Sequence, residues 1–307
     1  MSAAESDLER RLRAALAGRF DVGTEVARGS MARVYRATRA DDPTPLALKL
    51  LPPELASAGN AERFLREIEI IAGLRHPSIL SIVESGEDDG LLWYAMPFVA
   101  GSTVREMLQR EGLPSLDDTL AIARQVLEGL GYAHQQGVVH RDLKPENVMV
   151  TGGTALVMDF GLARTMASTI RLTGAGMPLG TPAYMSPEQI TGADQVDGRS
   201  DLYGFACVLY EMLTGRPPFV ASGVVALLRA HLQEPPVPPS QHRAKVPANV
   251  DRAIERALAK TPDDRPATAE AMLAELLEGV DPARLELGAG SRPSRPLEML
   301  KRIFGKR

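Results

Sequence analysis

The chain has 307 residues, of which 44% are hydrophobic and 24% charged, as is ordinary for a globular protein with a substantial core. The formal net charge of −4 argues against general binding to nucleic acid or to a membrane surface, since both need a basic field. One cysteine, Cys207, excludes an internal disulfide. No signal peptide and no apolar run of about 20 residues is recognisable, so we expect a soluble protein.

The N-terminal part of the chain predicts a short helix and then a sheet. A charged lead-in helix is expected over residues 7–18. Apolar and polar residues alternate after it, which is typical of half-buried strands. Turn signals separate these strands at Gly23, at Gly29 and at residues 41–43. We therefore expect an antiparallel meander.

The first strong helix is predicted over residues 60–74. Asn60 is its expected N-cap, and Gly73 lies near its end. Two further strand-like runs follow, at residues 79–83 and 91–96. This part of the chain is therefore predicted to be a sheet with one helix.

After Gly101 the pattern becomes that of long helices separated by loops that contain Pro and Gly. The predicted helices span residues 116–136, 199–214, 222–233, 247–259 and 267–278. Strands and helices in separate blocks indicate an α+β arrangement rather than alternating βαβ units. Residues 281–296 are rich in Pro, Gly, Ser and Arg and are predicted to form a flexible linker.

The most informative motif is the string HRDLKPEN at residues 140–147, followed by DFG. It combines Asp142, a carboxylate able to take a hydroxyl proton, with the cation Lys144. Asn147 and Asp159 add oxygen ligands of the kind that Mg²⁺ prefers. Phosphoryl transfer needs little more, because its catalysis is mostly positioning and neutralisation of charge. On these motifs the chain resembles the eukaryotic-like, bacterial-type serine/threonine protein kinase family.

The resemblance covers about residues 20–280 and implies the two-lobed protein kinase fold. In that fold the N-lobe is an antiparallel β-sheet plus one helix, and the C-lobe is mainly α-helical. We expect a lead-in helix at 1–19, the N-lobe at 20–96, the C-lobe at 97–280, and a flexible linker with a short basic tail at 281–307.

The resemblance also implies the catalytic roles. Asp142 would orient the substrate hydroxyl and finally accept its proton, and Lys144 would neutralise the γ-phosphoryl group of ATP. Asn147 and Asp159 would hold Mg²⁺, with Mn²⁺ as an alternative. The lysine form of the motif and the string GTPAY at residues 180–184 imply serine/threonine specificity.

The family's glycine-rich loop corresponds to residues 26–34, where only the middle glycine, Gly29, is kept. The outer positions hold Ala27 and Ala32. A Cβ atom restricts the approach of backbone to phosphates, so these departures put nucleotide affinity in question. Val34 would cover the nucleotide base.

Lys49 ends the apolar run LALK, and the resemblance assigns it the α- and β-phosphates. Its predicted partner is Glu67, which lies at helical spacing on an apolar stripe. An unpaired charge on such a stripe is costly. The alternative is a local pair between Glu67 and Arg63, whereas Glu69 lies off the stripe and is expected in solvent.

The resemblance assigns the adenine ring to a short segment after the last strand of the sheet. The contacts would be the carbonyl of Pro97 and the N–H of Val99, so the N–H that proline lacks is not needed. Ala47, Met96 and Met149 would complete an apolar slot for the base, although Met149 would serve equally well as plain core.

Arg141 precedes the catalytic aspartate, and an arginine there can pair with a phosphate on the activation loop. Thr173 and Thr181 are the candidate regulatory residues. Thr173 aligns with a common autophosphorylation position of bacterial relatives, while the second such position holds Ala175 and cannot be modified. The alternative is that these hydroxyls are ordinary polar loop residues.

Two further matches are structural. Asp201 is expected to accept hydrogen bonds from the backbone at residues 140–141. Glu188 is expected to pair with Arg265 and to pin the end of the activation segment. Cys207 has apolar neighbours and is expected in the core.

Two functional hypotheses follow. The first is an active ATP- and Mg²⁺-dependent serine/threonine kinase that is self-activated by phosphorylation of its activation loop. The second is a nucleotide-binding pseudokinase that acts as a scaffold or switch. Loss of Lys49, Asp142 or Asp159 would favour the second hypothesis, and all three are present.

The expected partners are protein substrates with Ser or Thr hydroxyls and, for trans-autophosphorylation, a second copy in a transient homodimer. No nucleic-acid partner is expected. The basic, amphipathic tail at residues 295–307 would contact a membrane surface or a partner, or form a simple solvated helix. We expect a cytoplasmic location, or membrane anchoring if the chain is a fragment of a longer receptor kinase.

Overall fold

The computed structural model describes residues 3–29, 32–52, 58–160, 182–281 and 285–287. The chain divides into two compact units. The first comprises Met1–Val99 and Phe160–Leu179, and the second comprises Ala100–Asp159 and Gly180–Arg307. The first unit carries the larger sheet and the second carries most of the helices, which confirms the predicted α+β class.

The first unit is built on a five-stranded sheet. Its strands are β1 (Phe20–Arg28), β2 (Arg33–Arg39), β3 (Leu46–Leu50), β4 (Glu84–Asp88) and β5 (Leu91–Pro97). Their order is β1-β2-β3-β5-β4, and every neighbouring pair is antiparallel. The predicted meander is therefore confirmed for the first three strands, and the strand predicted at residues 91–96 is present as β5. The turn predicted at Gly23 is wrong, because Gly23 lies inside β1, at an irregularity in its pairing with β2.

The strand predicted over residues 79–83 is wrong, because the strand lies directly after this run, at β4. β4 is polar and pairs along its length with β5, whose residues 91–96 are all buried. Ile79 and Ile82 are buried as well, but neither belongs to a strand. The buried residues of this run therefore supply core side chains. Pairing with β5 begins only at the end of the run, where Val83 N–H donates to the Ala95 carbonyl at 2.8 Å, and continues through β4.

Helix α2 (Ala58–Ala72) covers one face of this sheet. Phe64 and Ile68 are fully buried there. They pack in one cluster with Ala47, Leu92, Tyr94 and Met96 from β3 and β5. Burying large apolar side chains of this kind stabilises the unit by roughly 1.5–3 kcal/mol each.

The start of α2 differs from the prediction. The helix begins at Ala58, so Asn60 lies inside its first turn and is not its N-cap. The first N–H groups of a helix lack intrahelical partners wherever it begins, so the type of one polar residue does not determine the boundary. The predicted end is confirmed, since Gly73 directly follows Ala72.

Helix α1 (Ala3–Ala15) packs on the opposite face of the sheet. Leu12 and Leu16 are fully buried in a cluster with Tyr35, Leu48 and Trp93. Successive strand residues point to opposite faces, so this cluster and the one beneath α2 lie on the two sides of β3 and β5. The helix predicted over residues 7–18 is therefore part of the core of the first unit.

The second unit is mainly helical. Its helices are α3 (Val104–Arg110), α4 (Leu116–Gln135), α5 (Pro187–Thr191), α6 (Gly198–Thr214), α7 (Val224–Gln233), α8 (Ala248–Ala257) and α9 (Ala269–Leu276). The five long helices predicted for this region are confirmed, with ends that agree within two residues. Every residue of α6 from Ser200 to Leu213 is buried, so α6 forms the centre of the unit.

A small antiparallel sheet carries the motif residues of the second unit. Its strands are β6 (Ser102–Thr103), β7 (Val148–Thr151) and β8 (Thr154–Val157), in the order β6-β7-β8. Thr103 also caps α3, because its hydroxyl accepts from Glu106 N–H at 3.2 Å while the Glu106 carboxylate accepts from Thr103 N–H at 2.9 Å. This capping box attaches the start of α3 to the sheet.

Most of the predicted linker and tail lies outside the described residues. Leu285 is buried against the second unit, and its carbonyl accepts a hydrogen bond from Arg124 Nη2 at 3.3 Å. Within the part of the chain that the structure describes, no helix is both long enough and apolar enough to cross a membrane.

Candidate active site

The Asp142 carboxylate is held by two neighbours from the same stretch of chain. Lys144 Nζ donates to Asp142 Oδ2 at 2.6 Å. Asn147 Nδ2 donates to the same oxygen at 3.2 Å and to the Asp142 carbonyl at 2.8 Å. The Asp142 side chain is 18% exposed, so part of it is open to solvent. The structure thus brings the predicted base, cation and amide together.

Asn147 and Asp159 lie at the open end of the β7–β8 hairpin. Val148 pairs with Val157, and Met158 N–H donates to the Asn147 carbonyl at 2.9 Å. Asp159 directly follows Met158 and so lies beside this pair. Because the amide nitrogen of Asn147 donates to Asp142, its amide oxygen is the atom left to bind a cation.

His140 connects the Asp142 loop with the end of β8. Its Nδ1 accepts from Asp142 N–H at 3.2 Å, so the ring proton is on Nε2, which donates to the Met158 carbonyl at 2.8 Å. The ring is fully buried. A neutral imidazole therefore fixes the catalytic loop against the strand end that leads to Asp159.

Asp201 holds the backbone of the same loop, as predicted. Its two carboxylate oxygens accept from His140 N–H and Arg141 N–H, each at 2.7 Å. One of these oxygens also lies 2.8 Å from His134 Nε2. The Asp201 side chain is buried. A buried carboxylate with three donors from two segments is a rigid support for the loop.

Arg141 and Asp159 have positive backbone φ angles, which residues other than glycine rarely adopt. Arg141 has φ of 65° and Asp159 has φ of 58°. The left-handed region costs a non-glycine residue on the order of 1–3 kcal/mol and is often found at functional sites. The hydrogen bonds made by Asp201 and His140 maintain these conformations.

In the first unit, predicted nucleotide-binding residues share one face of the sheet. The register pairs Ala27 with Val34, Val34 with Lys49, and Lys49 with Tyr94. Directly paired residues of antiparallel strands lie on the same face. Lys49 Nζ lies 5.7 Å from the centre of the Tyr94 ring, which is within the range of a cation–π contact.

The predicted adenine-binding residues are distributed over both units. Ala47 pairs with Met96 and lies two residues from the lysine of β3, so it faces the same side of the sheet. Pro97 ends β5, and Val99 is the last residue of this stretch of the first unit. Met149 is half-buried on β7 of the second unit.

Glu67 is half-buried on α2, between the buried residues Phe64 and Ile68. These neighbours pack on the sheet face that carries Ala47 and Met96. The face predicted from helical spacing is therefore confirmed, and Glu69 is exposed as expected. The ion pair of Glu67 with the lysine of β3 stays a prediction.

Several predicted site residues lie at or beyond the limits of the described chain. Gly29 N–H donates to the Ala32 carbonyl at 2.9 Å and closes the turn between β1 and β2, while residues 30–31 lie outside the described part. Thr173 and Thr181 also fall in a stretch outside it, residues 161–181.

The predicted pair of Glu188 and Arg265 is present and buried. Arg265 donates through Nη1 and Nη2 to the two carboxylate oxygens at 2.7 and 2.8 Å. Burial alone would raise the pKa of Glu188, but hydrogen bonds from Arg265 and Ser200 hold that pKa below its ordinary value. The pair attaches α5 to the loop before α9.

Cys207 is fully buried at the centre of α6, as predicted. Burial raises the pKa of its thiol well above the ordinary value. A protonated, inaccessible thiol is not a nucleophile, so Cys207 has a packing role.

One polar cluster near Asn147 was not predicted from the sequence. Arg105 on α3 donates hydrogen bonds to Glu146, Glu211 and Tyr184. These partners lie 41, 106 and 79 residues away in the chain, so local spacing carries no signal of the cluster. Burial and the hydrogen bond to Glu211 raise the pKa of Tyr184 well above its ordinary value.

Comparison with known proteins identifies the family. A family model described as "Protein kinase domain" matches residues 20–277. The serine/threonine-protein kinase PknB of Mycobacterium leprae is 37% identical over 268 residues, which are 85% of this chain and 43% of that protein. The serine/threonine-protein kinase pkn3 of Myxococcus xanthus is 40% identical over 291 residues, which are 91% of this chain and 53% of that protein. The chain thus spans about half the length of these curated relatives.

Solved structures give the same result. The PknI kinase domain of Mycobacterium tuberculosis matches with a TM-score of 0.68 and 34% identity, over 85% of this chain and 96% of that one. Rad53 in complex with AMP-PNP matches with a TM-score of 0.69 over 90% of this chain and 69% of that one, but at 23% identity the likeness concerns the fold alone. The predicted kinase fold is therefore confirmed, and the chain belongs to the protein kinase family as a bacterial-type serine/threonine protein kinase domain.

Proposed function

We propose that this domain is catalytically active and transfers the γ-phosphoryl group of ATP to serine and threonine hydroxyls of proteins. Its family uses ATP, a divalent cation and protein substrates. The observation that carries the proposal is the cluster of Asp142, Lys144 and Asn147, joined by hydrogen bonds of 2.6–3.2 Å, with Asp159 beside it. A pseudokinase has no need to keep all four groups in place.

The proposed chemistry at Asp142 is acceptance of a proton. The substrate hydroxyl donates a hydrogen bond to the Asp142 carboxylate, and its oxygen attacks the γ-phosphorus. As that bond forms, the bond to the β-phosphate oxygen breaks, ADP leaves, and the hydroxyl proton passes to Asp142. Lys144, whose ammonium already lies beside the carboxylate, offsets negative charge on the transferred group.

The amide oxygen of Asn147 and the carboxylate of Asp159 fit Mg²⁺. Mg²⁺ favours one or two protein oxygens and completes its shell with waters and substrate phosphates. When bound, the ion would neutralise charge on the phosphate oxygens. Mn²⁺ has similar ligand preferences and is the alternative.

We propose that the nucleotide is held by the residues that share the sheet face in the first unit. Lys49, paired with Glu67, would bind the α- and β-phosphates, and Ala27, Gly29 and Val34 would cover phosphates and base. The adenine contacts would come from Ala47, Met96, Pro97, Val99 and Met149. The register of β1, β2, β3 and β5 supports the grouping of the sheet residues.

We further propose activation by phosphorylation at Thr173, with Thr181 as a second regulatory residue. A phosphate on this loop would pair with Arg141, whose strained backbone is already held by Asp201. Modification would occur in trans within a transient homodimer.

For this domain we propose a cytoplasmic location, with membrane contact only through the basic tail.

The proposed function is tested by phosphate incorporation from labelled ATP into the chain and into an unstructured Ser- and Thr-containing protein. With Mg²⁺ we expect phosphoserine and phosphothreonine, and mass mapping should place a phosphate on Thr173. A chelator should abolish incorporation. A chain that binds ATP but transfers no phosphate under any of these conditions would be a scaffold, and the proposal would be wrong.

A further inference from the structure

Arg105 uses all three nitrogens of its guanidinium group, and each contacts a different segment of the second unit. Nε donates to Glu146 Oε1 at 2.8 Å, Nη1 to Glu211 Oε1 at 2.6 Å, and Nη2 to the Tyr184 hydroxyl at 2.5 Å. The Tyr184 hydroxyl donates in turn to Glu211 Oε2 at 2.6 Å. These four side chains form a closed network, here called the Arg105 network.

Three side chains of the network are shielded from solvent, whereas that of Glu146 is 42% exposed. The Glu211 side chain is 6% exposed and that of Arg105 is 25% exposed. Tyr184 is buried, and its hydroxyl both accepts from Arg105 and donates to Glu211. In such surroundings charge-assisted hydrogen bonds are strong and geometrically demanding. The network therefore holds its segments in one fixed arrangement.

Two of the connected segments lead directly to the proposed chemistry. Glu146 precedes Asn147 in the turn Pro145–Asn147, and the amide of Asn147 holds Asp142. Tyr184 ends the turn Pro182–Tyr184, which follows the proposed regulatory Thr181 and leads into α5. Glu211 anchors both to the buried helix α6.

We propose that Arg105 is a positioning residue that fixes the turn containing Asn147 relative to the turn containing Tyr184. The inference rests on the proposed function. The Asn147 turn orients the proton acceptor, and the Tyr184 turn ends the segment that contains the proposed regulatory threonines. Arg105 acts on the transfer of phosphate to a protein hydroxyl and not on the binding of nucleotide, whose proposed residues lie chiefly in the first unit.

Arginine is required at this position because of its shape. Its planar group directs donors toward three acceptors at once, whereas a lysine ammonium is a point charge on a flexible stem. Arg105→Lys should therefore rescue only part of the function lost in Arg105→Met, which keeps a stem of similar length. Tyr184→Phe removes one hydroxyl from the same network and is the milder perturbation.

The test compares steady-state kinetics with a Ser/Thr peptide acceptor and calorimetric affinity for ATP in these three variants. For Arg105→Met we expect kcat/KM for the peptide to fall about 10- to 100-fold, a loss typical of displaced catalytic groups. The Kd for ATP should stay within about twofold of wild type, since nucleotide binding does not depend on the network. Arg105→Met combined with Tyr184→Phe should be little worse than Arg105→Met alone.

Arg110→Met is the matched control. Arg110 lies on the same helix, its side chain is 57% exposed, and it pairs with Glu106 at 3.7 Å. This variant should keep wild-type kinetics. Full peptide kinetics in both Arg105→Met and Tyr184→Phe would overturn the inference, as would parallel loss of ATP binding in the milder variant. A wild-type chain without transfer would instead overturn the proposed function, and this inference with it.

Discussion

At the residue scale, the Asp142 carboxylate is oriented before any substrate arrives. Lys144 and Asn147 contact it directly, and His140 and Asp201 hold the backbone on either side of Arg141. Groups that are already placed need no reorganisation during the reaction, which is the main source of catalytic power in electrostatic sites. The strained backbone at Arg141 is a cost of this arrangement.

The buried pair of Glu188 and Arg265 should be essential to stability. Arg265→Ala leaves a buried carboxylate without its bidentate partner, which typically costs about 3–5 kcal/mol. Urea unfolding measures this loss. Arg252→Ala is the control, because Arg252 and Glu278 form an exposed pair worth about 1 kcal/mol or less. Equal losses in the two variants would contradict the assignment.

His231 should make the fold sensitive to mild acid. Burial and the nearby charge of Lys260 lower the pKa of His231 to about 4, from an ordinary value of 6.5. The unfolded chain therefore takes up a proton at higher pH than the folded one does. Stability should be complete above pH 6.5 and fall as the pH drops toward 4, by about 3 kcal/mol at most.

Urea unfolding between pH 6.5 and 4.5 measures this effect, with His231→Phe as the comparison. Carboxylates such as Glu188, whose pKa is lowered from an ordinary 4.5, change the stability mainly below this pH window. Tyr203 and Lys260 face the ring and are unchanged in the variant. The pH slope should be smaller in His231→Phe, and an identical slope in both proteins would show that His231 does not cause it.

At the scale of elements, helix α1 is part of the packed core of the first unit. It lies over the sheet face that contains Trp93, the only tryptophan in the chain, whose ring packs edge-on against Phe20 at 5.4 Å. Leu12→Ala should therefore destabilise this unit by about 2–5 kcal/mol, because it leaves a cavity under the helix. Tryptophan fluorescence during urea unfolding reports the change locally.

Arg10→Ala is the control for α1, since Arg10 is exposed on the same helix and its pair with Asp7 lies in solvent. It should leave the transition unchanged. If Leu12→Ala unfolds at the wild-type urea concentration, α1 is not part of the core and its packing is misassigned.

The small sheet depends on a close approach at Gly101. A Cβ atom there would lie 2.5 Å from the Val150 carbonyl oxygen, a distance that side-chain carbons do not reach. Gly101→Ala should therefore force β6 away from β7 and cost about 1–3 kcal/mol. Gly223→Ala is the control, because nothing lies within 4 Å of the added atom. Unfolding in urea should separate the two variants, and equal stability would contradict the assigned register.

At the scale of the whole molecule, the sequence was most informative where function depends on spacing along the chain. The string at residues 140–147 indicated the Asp142 cluster because its members are near neighbours, and helical periodicity located α4, α6 and α9. The Arg105 network and the packing of α1 depend on contacts between distant segments. Such contacts are determined by tertiary packing, which local patterns do not contain.

The same limit explains the strand error at residues 79–83. Ile79 and Ile82 fill the core from outside any strand, whereas the exposed Val83 and the polar residues of β4 make the hydrogen bonds to β5. Burial and strand pairing are separate requirements, and hydrophobic pattern reports only the first. The domain boundaries and the residue roles proposed for the site remain predictions that experiments must test.

The central claim is that Asp142 and its neighbours carry out phosphoryl transfer, and one measurement tests it most directly. Single-turnover transfer from ATP and the Kd for ATP are determined for the wild type and for Asp142→Asn. Transfer should fall by about 10²- to 10⁴-fold, as expected for loss of a general base, while ATP affinity is retained. Transfer at the wild-type rate in the variant, or no transfer in the wild type, would contradict the account.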